Sequence, residues 1–450
     1  MEGIKSSAPS KKVVRKIFFI NSFYLSNIFK QDTTGVFCYY VPYMKLSTDS
    51  YKGVRDFYPH DKFIHDYIVN TLSQACESFG YEAYDASILE PSELYRTKTS
   101  DEIVTEQTYA FEDRGGREVT LRPEMTPTVA RMVAGKSREL GFPLRWYSMP
   151  NCFRYERAQR GRLREFWQLN ADLFGLAGPE ADVEIISLAY KLMTAFGATD
   201  ADFEIHINDR RVFEHIFDEL DIDTGTRKSV MSLLDRRAKM DNFESELAKL
   251  AGDKSSKLIT LLDSAASNPL LENLLNRLTE LGITNAVIDT SIVRGFDYYT
   301  GMVFEVFDTS KENNRSISGG GRYDALVEMF GAEAIPTVGF ALGDVTMRDF
   351  LDIHGLLPEY VSPTDLMLCV LEEGTTAYAD KVAQQLRDQD INVAVNYSYK
   401  KVGDQIKLAD KKSIPFVACV GAKEMESGKL AVKHLSSGEQ AELEVDAIAD

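Results

Sequence analysis

The densest chemistry in the chain lies between Arg154 and Gln168. Arg154, Glu156, Arg157, Arg160, Arg162 and Arg164 follow one another closely, and Phe166 and Gln168 come next. A guanidinium grips phosphate oxygens through a planar fork. An aromatic ring can stack on a nucleobase, and an amide both donates and accepts hydrogen bonds. The set suits the holding of a nucleotide. It equally fits a basic, solvated surface hairpin.

To act together these side chains must share a face. Ala158-Gln159-Arg160-Gly161 reads as a hairpin turn, with Gly161 supplying the permissive backbone. Before it, Phe153 and Tyr155 alternate with Arg154 and Glu156. After it, Phe166, Gln168 and Asn170 alternate with Trp167, Leu169 and Ala171. Strand side chains line one face at every second residue, so an arginine, a ring and an amide can converge.

FRYERAQRGRLREFWQ resembles motif 2 of the class II aminoacyl-tRNA synthetases, in the form of the histidyl-tRNA synthetase family. VRGFDYYTGMVFEV at 293–306 and SGGGRYDALV at 318–327 resemble that family's histidine-specific signatures. The resemblance spans about 52 to 448. It implies an α/β (α+β) fold. A class II antiparallel-sheet catalytic domain at 44–355 carries a helical insertion at about 209–280. A C-terminal mixed-sheet α/β anticodon-binding domain follows at 364–450.

The resemblance also implies roles. Arg154 and Arg294 are the expected catalytic pair. Histidine falls to Glu124, Thr126, Gln168, Asp172, Tyr298, Tyr299 and Tyr323. ATP falls to Arg154, Glu156, Arg162, Phe166 and Arg294. The tRNA acceptor end falls to Arg157 and Gln159. Asp172 stands where the family usually has Glu. Implied partners are L-histidine, ATP, histidine tRNA and a second copy of the chain in a homodimer, in the cytoplasm. Mg²⁺ would arrive with ATP. The alternative is a non-catalytic regulatory protein resembling the regulatory subunit of ATP phosphoribosyltransferase, which shares the catalytic core but lacks the anticodon-binding domain.

Motif 3 departs from the family pattern. TVGFALGDVTMRDFL at 337–351 has Val345-Thr346 where the family has Glu-Arg, and that arginine is expected on the ATP γ-phosphate. Arg348 is two residues on, about 200° around a helix, and is not expected to replace it. Asp344 is expected to cap this helix, with Met347, Phe350 and Leu351 as its inner face.

Composition sets the frame. Of 450 residues, 44% are hydrophobic and 27% charged, which suits two or three globular domains. A net charge of −18 argues against a generally basic nucleic-acid binder, so a tRNA would meet local basic patches. Cys38, Cys76, Cys152, Cys369 and Cys419 form no CxxC pair. Nor do the six histidines make a HExxH-type spacing, so no protein-bound structural metal is expected. No apolar run is long enough to cross a membrane.

Residues 1–43 stand apart, with six basic and two acidic residues. They read as a mis-set start before Met44, a targeting segment, or a genuine extension. Next, Ile64, Ile68, Leu72 and Ala75 recur at helical spacing until Gly80, in the family's dimer helix or an ordinary core helix. TYAFEDRGGREVTLRPEMT reads as two strands about Gly115-Gly116. Ser87 replaces a family proline before Ile88-Leu89-Glu90, which questions the strand there. Pro358 and Pro363 mark a linker. Beyond it strands and helices alternate, and Lys400, Lys401, Lys407, Lys411 and Lys412 suit phosphates or a solvated face.

Overall fold

The computed structural model describes residues 46–448 except 97–106, 235–236, 238–239, 241, 265–267, 293–298 and 314. Expectations for residues 1–43 therefore lie outside the described residues, as do Arg294 and Tyr298.

The alternation after the hairpin turn decides the fold. In the strand Glu165–Phe174, Leu169, Ala171 and Leu173 point into the main core and are fully buried. Phe166, Gln168, Asn170 and Asp172 point to the other face, where they line a cavity. This strand lies inside a nine-stranded sheet. From one edge the order is Glu82–Ala83, Leu144–Ser148, Glu165–Phe174, Thr337–Gly343, Ser316–Arg322, Met302–Asp308, Phe203–Asp209 and Ala286–Ile288, with Asn151–Phe153 also paired to Glu165–Phe174. All pairings are antiparallel except those of the two edge strands.

One face of this sheet is dry. The helix Pro59–Ser78 starts with proline in its first turn, where a missing N–H costs nothing. It buries Ile64, Ile68, Leu72 and Ala75, the expected stripe, and its chain turns out through Gly80 at φ +78°. The helices Pro179–Thr194, Pro269–Glu280 and Asp344–Ile353 join it in the same core. Met347, Phe350 and Leu351 form the inner face of the last, as expected.

The expected cap is corrected. Gly343 holds the N-cap position, and Asp344 is the first helical residue. The Asp344 carboxylate accepts the Trp167 backbone N–H and the Arg55 guanidinium instead of a first-turn N–H. A charged pairing of that kind, with its carboxylate buried, outcompetes a cap bond.

Ser87 does not prevent the local strand. Its hydroxyl accepts the Leu89 N–H at 3.2 Å, and Leu89–Pro91 pairs with Glu118–Leu121 in a three-stranded sheet with Tyr109–Glu112. Gly116, at φ +75°, makes the turn.

Helices between Arg210 and Ser264 bury their own cluster, including Phe213, Phe217, Val230, Leu247 and Leu258. The following helix, Pro269–Glu280, serves two cores. Leu271 joins that cluster, while Leu274 and Leu278 join the main one.

A five-stranded mixed sheet completes the chain, in the order Val393–Asn396, Leu366–Val370, Phe416–Val420, Lys429–His434 and Gln440–Glu444. The inner strand LMLCV, parallel to both its neighbours, is buried at every residue, as a parallel strand covered on both faces must be. No helix among the described residues is long and apolar enough to cross a membrane.

Candidate active site

The wet face of the large sheet carries a cavity of about 550 Å³, a size that suits a small-molecule ligand. Its floor follows from register. Asn170 pairs with Ala341, Ala341 with Gly319, and Gly319 with Glu305. Two small residues thus lie between two polar ones, and the space above them is open. The next row runs Asp172, Gly339, Gly321, Val303. Gly339 has no substitute there, because a Cβ would collide with Asp172 Oδ1 and the Tyr323 hydroxyl.

These two groups form one end of the cavity. The Tyr323 hydroxyl donates to Asp172 Oδ1. Tyr299 lies edge-on to Tyr323, with ring centroids 6.4 Å apart. Asp172 is 3% exposed. Burial pushes its carboxyl up to about 7, although the Tyr323 and Tyr84 hydroxyls pull the other way. Among the described residues no hydrogen bond of good geometry meets the buried Oδ2, and the buried Tyr84 hydroxyl near the carboxyl is likewise without one. A buried acceptor without a partner costs about 1–3 kcal/mol, so it marks a place where a ligand N–H would be welcome.

Glu124 and Thr126 line the same cavity. Their loop is pinned by the buried Arg122, which donates to Asn151 O at 2.9 Å and Ala86 O at 2.8 Å. Arg154 Nε donates to Pro123 O at 2.9 Å, and its guanidinium lies 5.3 Å from the Phe166 ring centroid. An anion bound there would meet a positive group already held in place.

The hairpin forms as expected. Gln159 and Arg162 exchange backbone hydrogen bonds at 3.0 and 2.9 Å, and Gly161 takes φ +74°. Its arginines separate by role. Arg154 and Arg162 line the cavity, and Arg162 pairs with Glu156 at 3.0 Å. Arg164 packs 4.0 Å from the Tyr155 ring centroid and donates to Glu156 O, which stiffens the hairpin. Arg157 and Gln159 lie on its exposed side, outside the cavity lining.

Of the residues singled out from sequence, the cavity brings together Glu124, Thr126, Arg154, Glu156, Arg162, Phe166, Gln168, Asp172, Tyr299 and Tyr323. It also adds Asn170, Glu305 and Arg315. Glu305 lies within the 293–306 signature without an assigned role, and Arg315 belongs to no motif; strand register brings both to the cavity. No group of acidic, histidine and cysteine side chains suited to a metal ion occurs among the described residues.

Comparison with known proteins decides the family. A family model described as histidyl-tRNA synthetase matches residues 53–345, and an anticodon binding domain model matches 365–450. The chain belongs to the histidyl-tRNA synthetase family. A histidine–tRNA ligase of Leptospira biflexa is 40% identical, over 88% of this chain and 95% of its own length. One from Haloarcula marismortui is 35% identical, over 89% and 96%. The crystal structure of histidyl-tRNA synthetase from Nostoc superposes with a TM-score of 0.73 at 26% identity, covering 89% of this chain and 98% of that one. Within this synthetase fold, Val345 and Thr346 line the cavity, whereas Arg348 pairs with Asp61 at 3.0 Å and is not among the lining residues.

Proposed function

We propose that this chain ligates L-histidine to histidine tRNA, using ATP. A histidine carboxylate oxygen attacks the α-phosphorus. A P–O bond forms, the bond to the β-phosphate oxygen breaks, and pyrophosphate leaves with histidyl-adenylate remaining. A terminal ribose hydroxyl of the tRNA then attacks the activated carbonyl, and AMP leaves.

One observation carries the reading: a single cavity joins a buried carboxylate end to an arginine-and-ring end. At the first end, Asp172 Oδ2 is the acceptor for a ring N–H of histidine, with Tyr323 and Tyr299 beside it and Tyr298 assigned by resemblance. Glu124, with Thr126 and Gln168, takes the cationic α-amino group. Recognition of ring N–H groups by paired hydrogen bonds discriminates strongly against amino acids that lack them. At the second end, Phe166 stacks on adenine, and Glu156 with Arg162 takes its edge and the phosphates.

Between the ends, Arg154 meets the carboxylate and α-phosphate together. That contact holds the nucleophile in line and offsets the charge that develops on transfer. Arg294 has the same duty by resemblance. Mg²⁺ enters bound to ATP as part of the substrate. Arg157 and Gln159 reach the acceptor end, and residues 364–450 form a separate anticodon-binding domain beside a catalytic domain at 44–355. The enzyme works as a homodimer in the cytoplasm.

The regulatory-protein alternative is not better supported, since the match to an anticodon binding domain at 365–450 fits the ligase. Histidine-dependent exchange of pyrophosphate into ATP tests the function. Exchange that responds to no amino acid would sink it.

A further inference from the structure

The cavity holds a third arginine. Arg315 enters the strand Ser316–Arg322 and lines the cavity beside Gly161, Arg162, Val345 and Thr346. Gly161 lets it approach. A Cβ on Gly161 would stand 3.2 Å from Arg315 Cδ, 3.8 Å from its Nε and 3.8 Å from Thr346 Cγ2. The Arg315 stem and the Thr346 methyl therefore border the same small gap at the hairpin tip.

The three cavity arginines are engaged differently. Arg162 is neutralised by Glu156, and Arg154 is held by Pro123 O and Phe166. Among the described residues no carboxylate lies within ion-pairing distance of the Arg315 guanidinium. Arg315 is half-buried rather than fully solvated. Thr346 spends its hydroxyl on Gly343 O at 3.0 Å and Ile317 O at 3.1 Å, so it offers a phosphate nothing. The chain as a whole carries −18, so a polyphosphate can be held only by local cations.

We infer that Arg315 binds the phosphate tail of the nucleotide, supplying from the neighbouring strand the positive charge that position 346 lacks. The inference rests on the nucleotide-activating reading above. A guanidinium on a strand entry can fork onto two phosphate oxygens, a geometry that a lysine ammonium cannot copy.

Binding of Mg-ATP, measured directly by calorimetry, tests it. Arg315→Ala should weaken ATP binding on the order of 10- to 100-fold, the loss of one charged hydrogen-bonding contact. Arg315→Lys should fall between, and Arg348→Ala should bind as wild type. In the Arg315→Ala background, Thr346→Arg returns a cation to the same gap and should recover part of the lost affinity. Histidine binding, measured alongside, should stay within about threefold. Unchanged ATP affinity in Arg315→Ala would overturn the assignment. So would an equal loss for histidine and ATP, or a double variant as weak as the single one. Histidine-dependent exchange on the same preparations reads the function separately. A wild type that binds ATP without exchange would overturn the function reading and leave the Arg315 comparison intact.

Discussion

Asp344 Oδ1 accepts the backbone N–H of Trp167 at 2.9 Å. Its other oxygen accepts Arg55 at 2.6 Å. The bond ties the strand that carries Phe166 and Gln168 to the helix that carries Thr346, joining two walls of the cavity. Asp344 is 2% exposed.

Asp344→Ala strands the Arg55 charge and a strand N–H together. Arg55 keeps 20% of its side chain in solvent, so losing its buried partner costs on the order of 1–3 kcal/mol. Asp344→Asn keeps an acceptor for Trp167 and should cost less. Urea unfolding of both variants checks the order. Equal stability of Asp344→Ala and wild type would show that the tether is idle.

Asp172 predicts a pH signature. Its folded carboxyl lies near 7 and its ordinary value is 3.8, so the folded state holds the proton more tightly. The stability this proton contributes is present below about pH 4. It is lost as pH rises through about 7, for a total of about 4 kcal/mol. Asp172→Asn cannot ionise. Relative to it, the wild type should lose stability from pH 5 to pH 8 in the absence of ligand. Parallel stability curves for the two proteins would show that Asp172 titrates normally.

Gly339→Ala should damage one end of the cavity alone. Its methyl would press on Asp172, Tyr323 and the Ala171 carbonyl. Overpacking of this kind costs about 1–3 kcal/mol. The KM for histidine should rise about tenfold or more while that for ATP changes little. A matched rise in both would mean that the sheet itself has been distorted.

Deleting residues 364–450 should spare histidine activation and abolish efficient tRNA charging. Tyr360, which packs against His60 and Phe63 with ring centroids 5.4 Å away in both cases, stays with the shortened chain. Exchange and aminoacylation measured on one preparation separate the two steps. Loss of exchange together with charging would show that the C-terminal sheet supports the cavity.

Much of this was legible in the chain because it is local. Period-two alternation on either side of Gly161 determined which residues of Glu165–Phe174 face the core and which face the cavity, and a one-residue slip would invert both sets. The stripe Ile64, Ile68, Leu72, Ala75 determined the helix, and Gly80 its exit. Motif order determined the family. Tertiary structure alone decided where charges end up. Asp344 is an N-cap by spacing, yet the half-buried Arg55 and the Trp167 N–H compete for it across the fold and win. Arg315 belongs to no motif, and only the ladder Glu305, Gly319, Ala341, Asn170 brings its strand beside Gly161 and Thr346. Burial, not residue type, raised the carboxyl of Asp172. A side chain's partners and its desolvation depend on residues far away in sequence, and periodicity carries no information about them.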